Sequence, residues 1–240
     1  GPLATQILAD HGAEVIKVET QSGDLIRTMN GQSVTPGMGA KFLHLNRNKR
    51  SIVLDLKQPA GITALLKLIA QADVLVWNMR PATMARLKLA YDDVRVVNPK
   101  IIYCGMFGFG QNGRYRDKPA YDSIIQGAGG MAALNHRAIG EPRFVPMVAA
   151  DKVVGLTAVQ MIVMALYRRT QTGEGCSIEI PMFENLVKFV LEEHMYLKTF
   201  EPALGPTGDP RLLDPLGKPI PTKDGYICIS ANTNEQAFAF

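Results

Sequence analysis

A single acid, Asp151, interrupts the apolar run VPMVAADKVVGLTAVQMIVMALYRR, Val145 to Arg169, with Lys152 beside it. It stands where an apolar segment turns into a long helical pattern, Ala150 to Thr170. Two roles fit an aspartate there. Asp is a favoured N-cap, and a carboxylate near a helix start is stabilised by the helix dipole. A carboxylate in a largely apolar cleft can also act as a nucleophile toward an activated acyl group, with neighbouring backbone N–H groups holding the oxyanion that forms. The residues alone leave both open.

Other groups suited to chemistry cluster near strand ends. NRNKRSIVLDLK places Arg47, Lys49, Arg50 and Lys57 around one strand, and WNMRPATMARL adds Asn78, Arg80 and Arg86 after another. Such clusters read either as solvated basic edges or as a cradle for phosphate. GFGQNG, Gly108 to Gly113, matches the spacing of a dinucleotide fingerprint. A proline-containing loop follows it, however, and not the helix that a pyrophosphate site requires. It is read as a flexible loop at the carboxyl end of a strand, where ligands of open α/β sheets bind. His11, His44, His136 and His194 are not at metal-ligand spacing, and no metal site is expected. No G-x-S-x-G nucleophile elbow occurs.

The elements that must position these groups alternate. PLATQILADHG predicts a helix and AEVIKVE a strand. SIVLDL predicts a strand, QPAGITALLKLIAQA a helix with Ile62, Leu65, Leu66 and Ile69 on one face, and DVLVWN and KIIYCGMF two apolar strands. The long helix from Ala150 is apolar nearly all round and is expected to be buried. CSIEIP predicts another strand and Met182 to Thr199 another helix. The pattern implies an α/β fold with a Rossmann-like open, mainly parallel sheet. Residues 1–200 form the expected large domain. The Pro- and Gly-rich residues from 201 lead into DGYICIS, the expected start of a smaller second domain over 201–240. Both ends look cut within larger elements.

Composition narrows the class. The chain of 240 residues is 47% hydrophobic and carries a net charge of +4, ordinary for a globular protein and too mild to imply nucleic-acid binding. Its three cysteines form no disulfide or zinc pattern, no uninterrupted apolar run reaches a spanning length of roughly 20 residues, and the expected location is cytoplasmic.

Taken in order, GPLATQILADHGAEVIKVE with GDLIR, LNRNKRSIVLDLK, NMRPATMARL, IIYCGMFGFGQNG, PAYDSIIQGAGGM, the Asp151 segment and GEGCSIEIPMFE resemble the class III CoA-transferase family, which includes formyl-CoA and carnitine CoA-transferases and α-methylacyl-CoA racemases. The resemblance spans nearly the whole chain. It implies a Rossmann-like large domain, a small domain and an interlocked homodimer. Family members are longer, with a first sheet strand and a glutamine-containing turn ahead of the first helix. The resemblance assigns the catalytic aspartate to Asp151. It assigns coenzyme A, as acyl-CoA co-substrate, to Leu54, Lys57, Asn78, Met79, Arg80, Arg86, Leu87, Tyr121 and Met182. Small carboxylic acids are the implied second substrate, with Arg27, Arg143 and the surroundings of Tyr121 as candidate contacts; no membrane partner is implied. Racemases of the family carry histidine where this chain has Tyr121, a poor base near neutral pH with an unperturbed pKa of about 10. That departure favours acyl transfer over racemisation. PLGKPIPTKDG stands nearest to the family's glycine-rich loop and is not a glycine run. A dinucleotide oxidoreductase and a non-catalytic CoA-binding module remain the readings from other classes.

Overall fold

The computed structural model describes residues 1–29, 33–231 and 233–239. The element order is α1 (Pro2–Asp10), β1 (Val15–Glu19), α2 (Ala40–Asn46), β2 (Lys49–Val53), α3 (Pro59–Ile69), β3 (Val74–Trp77), α4 (Pro81–Arg86), α5 (Tyr91–Val97), β4 (Ile102–Phe107), α6 (Asp122–Ala128), α7 (Met131–Ile139), α8 (Ala149–Thr172), β5 (Cys176–Pro181) and α9 (Met182–His194). A short hairpin, β6 (Ile220–Pro221) with β7 (Tyr226–Ile227), and α10 (Asn234–Ala239) follow. Helices α1, α3 and α4 each begin on proline, which fits the first turn because its missing N–H has no partner there anyway. Helix α8 stops at Gly173, whose φ of 74° side chains disfavour.

All strands before the hairpin pair in parallel, but among the described residues they form two sheets and not one. β1 pairs with β2, and β3, β4 and β5 form a three-stranded sheet with β4 central. Every residue of β4 is buried. Ile102, Cys104 and Met106 face a cluster with Ala150, Val154, Ile162 and Ile180; Tyr103 faces the opposite cluster, with Leu65, Ile69, Met84 and Leu89. Burial on both faces is why IIYCGMF reads as unbroken apolar sequence.

Two expectations change. Strand β2 ends at Val53, so Leu54 to Leu56 lie past the strand expected over SIVLDL. Helix α8 is not buried all round. Ala150, Val154, Ala158, Ile162 and Ala165 pack inward, whereas Leu156, Val163, Met164 and Tyr167 are exposed. With 24 residues and an 18-residue window of mean hydropathy 1.6, α8 is long and apolar enough to cross a membrane. One face nevertheless packs against α1, α6, α9, β4 and β5.

The parallel sheet brings the carboxyl ends of β3, β4 and β5 to one edge. Trp77 pairs with Gly105, and Phe107 with Pro181. Asn78, the Gly108 loop and Met182 therefore leave the sheet side by side.

Candidate active site

Asp151 is the third residue of α8, one turn position inside the helix, and Val148 takes the cap position without a side-chain bond. The capping role expected of Asp151 thus falls elsewhere. Asp122, the first residue of α6, accepts the Asp151 backbone N–H on Oδ1 at 3.2 Å. Its Oδ2 accepts Gln126 Nε2 at 2.6 Å. Gln126 is 1% exposed. Its Nε2 also donates to the Met147 carbonyl at 2.9 Å, and its Oε1 accepts the Val145 N–H at 2.9 Å. One buried amide and one carboxylate thus fix the segment that leads into α8.

The Asp151 carboxylate itself has no hydrogen bond or ion pair among the described residues. It reaches solvent, yet lost hydration raises its pKa above the ordinary carboxylate value, and the Asp122 charge raises it further. The amino terminus at Gly1 and, less, Lys41 oppose both. Among the N–H groups of the first turn, Ala149 bonds Met147 O, Lys152 bonds Val148 O and Asp151 bonds Asp122. That of Ala150 has no partner among the described residues. It is a donor of the kind a helix start leaves over.

The residues assigned to coenzyme A by resemblance fall into two groups. Leu54, Met79 and Leu87 pack around the second cluster together with Trp77, whose Nε1 is buried without a partner. Lys57, Arg80 and Arg86 lie exposed beside them, with no side-chain partner among the described residues. Asn78 is exposed, with its side chain against Gly1. Met182 lies in the other cluster with Ala150 and Val154, at the start of α9. Tyr121 is 74% exposed and directly precedes Asp122. Two surface concavities, of about 450 and 190 Å³, do not include Asp151.

Several cations expected to meet ligands are occupied instead. Arg47 pairs with Asp10 and Arg50 with Glu14. Lys49 donates to Pro2 O, Thr5 Oγ1 and Asn46 Oδ1, and burial lowers its pKa to about 8. Of that basic cluster only Lys57 stays available. Arg27 grips Glu19 at 2.7 Å through both Nε and Nη2, donates to Gly37 O and stacks over Phe42 at 3.9 Å. Arg143 pairs with Glu141. The glycine loop does not open a helix. Gly108 faces Ala120 so closely that a Cβ would lie 2.2 Å from its methyl, and Gly110 N–H is held by Glu184 Oε1 at 2.9 Å. Close packing explains these glycines without a nucleotide. Sequence reasoning missed Gln126 and Glu184. For Gln126 the Asp122/Gln126 spacing of four was a usable signal. Among the described residues no three His, Cys, Asp or Glu side chains gather as a metal would need.

The profile of CoA-transferase family III matches residues 1–240. A succinate–glutarate CoA-transferase of Agrobacterium fabrum (strain C58 / ATCC 33970) is 35% identical over 98% of this chain and 60% of that protein. The succinyl-CoA:glutarate CoA-transferase of Homo sapiens is 32% identical over 98% of this chain and 54% of its own length. The crystal structure of a CAIB/BAIF family protein from Brucella suis superposes with a TM-score of 0.83 at 32% identity, covering 94% of this chain and 60% of that one. The chain therefore spans little more than half the length of these relatives, 54% to 60%. A whole-length profile match, joined to a mixed α/β structure with the same parallel arrangement, makes this chain a member of CoA-transferase family III.

Proposed function

We propose that the protein containing this chain moves coenzyme A from an acyl-CoA thioester to a free carboxylic acid, with Asp151 as the nucleophile. The observation that carries this reading is a carboxylate without a bonding partner among the described residues, on a backbone tied down by hydrogen bonds to Asp122 and Gln126. A nucleophile needs free lone pairs and a fixed position.

In the first step an Asp151 carboxylate oxygen attacks the thioester carbonyl, the C–S bond breaks and CoA leaves as thiolate. The product is an aspartyl–acyl mixed anhydride. The thiolate attacks the aspartyl carbonyl of that anhydride, releasing the first acid as carboxylate and leaving an aspartyl-CoA thioester. The acceptor carboxylate attacks this thioester and expels CoA thiolate. The thiolate then attacks the new acyl carbonyl, which regenerates Asp151 and completes the new acyl-CoA. The Ala150 N–H, without a partner among the described residues, is the proposed donor to the oxyanion in these steps. Water must be kept from the anhydride, and the rest of the chain and a second subunit of a family-type dimer are the proposed cover. Leu54, Met79 and Leu87 offer apolar surface to adenine, and Lys57, Arg80 and Arg86 offer free charge to phosphates. Asn78, Tyr121 and Met182 complete the proposed coenzyme A contacts. The relatives named for succinate and glutarate support small carboxylic acids as substrates.

Hydroxylamine trapping tests the mechanism. The full-length parent protein is incubated with a panel of acyl-CoAs and hydroxylamine and then mapped by mass spectrometry. A hydroxamate on Asp151 is expected, and Asp151→Ala should lose transfer while retaining CoA binding. A parent protein that binds CoA, exchanges the α-hydrogen of the acyl group for deuterium and leaves Asp151 unlabelled would be a racemase instead.

A further inference from the structure

We infer that Glu184 is a positioning residue for the transfer: its carboxylate clasps the Gly108–Gly113 loop at Gly110, and the loop seats Ala120 and with it the start of α6, to which the Asp151 backbone is bonded. The inference rests on the reading of Asp151 as the acyl-carrying nucleophile.

Register explains why a carboxylate stands there. β4 and β5 pair in parallel as far as Phe107 and Pro181. Beyond them the Phe183 N–H donates to Gly108 O at 3.0 Å, which continues the ladder past the last strand residue. In a parallel ladder the carbonyl of that same residue would accept the N–H of Gly110. Phe183, however, is already the second residue of α9, and its carbonyl turns into the helix. Glu184, the next residue, supplies the acceptor instead: its Oε1 takes the Gly110 N–H at 2.9 Å. A Cβ at Gly110 would lie 2.5 Å from that oxygen, so a side chain there would push the carboxylate away. Phe109, between the two bonds, is buried and meets Phe183 and Tyr115 at ring distances of 5.6 and 5.5 Å.

From the loop, every step toward Asp151 is a contact. The Ala120 methyl sits over Gly108, where a Cβ would come within 2.2 Å of it. Ala120 leads into Tyr121, the cap residue of α6, and Asp122, its first residue. Asp122 Oδ1 accepts the Asp151 N–H at 3.2 Å. The other end of α6 also rests on α9, where buried Leu186 lies 3.0 Å from the position of a Cβ on Gly129. Helix α9 thus seats α6 twice, by core packing at its end and through the clasped loop at its start. Glu184 itself is exposed, so its loss frees the loop at little cost in stability. Misplacing a reacting group by about 1 Å costs on the order of 100-fold in rate. The effect therefore falls on kcat. The proposed adenine contacts lie in the other cluster, so KM for acyl-CoA should change little.

The test uses the full-length parent, its Glu184→Ala, Glu184→Gln and Ala120→Gly variants, the double variant Glu184→Ala/Ala120→Gly, and the acyl-CoA donor that labels Asp151. Glu184→Ala should lower kcat and the rate of hydroxylamine labelling at Asp151 roughly 10-fold or more, with KM for acyl-CoA and the urea midpoint near wild type. Glu184→Gln, whose amide oxygen still accepts the Gly110 N–H, should recover most of the rate. An acid serving only the helix dipole would lose its effect in Glu184→Gln as well. Because Ala120→Gly removes the methyl through which the loop acts, Glu184→Ala should cost little more in that background. An unchanged kcat in Glu184→Ala, a loss carried by KM or by a fallen urea midpoint, no recovery in Glu184→Gln, or losses that multiply in full in the double variant would each overturn the inference. All of these leave the Asp151 mechanism standing. A wild type with neither labelling nor transfer overturns both.

Discussion

Asp122 and Asp151 adjoin but bond differently. Asp122 uses both oxygens, on Gln126 and on the Asp151 backbone, and Asp151 uses neither. Burial first, then the Asp122 charge, keeps the Asp151 pKa above its ordinary value. A carboxyl group with a raised folded pKa binds protons more tightly in the native state than in the unfolded one. Ionising it therefore lowers stability as pH rises through the unfolded and then the folded pKa. Asp151→Asn should accordingly raise Tm at neutral pH while abolishing transfer, with the Tm difference closing as pH falls below the unfolded pKa. Asp122→Asn tests the pair from the other side. The amide oxygen can keep the bond to Asp151 N–H, the new NH2 can no longer accept from Gln126 Nε2, and the like charge is removed, so the acid limb of the kcat/KM profile should move to lower pH. A limb that stays put would mean that the two charges do not communicate.

At the scale of elements, the loop after β1 hangs on one acid. Glu19 is 5% exposed and takes Arg27 twice, Ser51 Oγ at 2.6 Å and the Asp24 N–H at 2.9 Å. The Arg27 bonds are the largest cause that holds its pKa at about 2, against burial, which pushes it up. This depressed pKa gives stability present above the unfolded value of about 4.5 and lost as pH falls through about 2. Arg27→Met leaves a buried charge uncompensated and should cost about 3–5 kcal/mol by urea titration at neutral pH. The Glu19→Gln/Arg27→Met pair should cost clearly less; an equal or larger cost would place the effect in lost packing over Phe42. The same element shows where sequence reading reaches its limit. GDLIR was visible as a motif, and Arg27 was open to an acid substrate. What commits it is Glu19, eight residues earlier, turned inward by strand alternation. The basic cluster around β2 failed for a like reason: Asp10 and Glu14, some forty residues upstream, reach it only once β1 pairs with β2. By contrast β4 and α3 were legible, because burial periodicity is local. Asp151 was legible as a lone charge in an apolar run, but not its place inside the helix. That place depends on Gln126 fixing residues 145 to 147.

For the whole molecule, α8 and β4 decide whether the parts behave as one. β4 sends alternate side chains into two clusters, and α8 fills one of them with Ala150, Val154, Ala158 and Ile162. The turn proposed to carry the nucleophile is the start of that helix, and the proposed adenine surface lies on the other side of the sheet around Trp77. The only tryptophan thus reports on the face away from α8. It stacks with Phe107 at 5.7 Å and tilts on Tyr103 at 5.4 Å, both on β4. Ile162 is fully buried, and removing its side-chain volume should cost about 2–5 kcal/mol. If the sheet couples the two faces, Ile162→Ala lowers the urea midpoint by Trp77 fluorescence and by far-UV circular dichroism equally, and the two transitions coincide. A fluorescence midpoint left at the wild-type value while the dichroism midpoint falls would separate the faces. The proposed nucleophile and the proposed CoA-binding surface would then sit on independently melting halves. Coincident transitions would mean that the two faces of the sheet unfold as one unit.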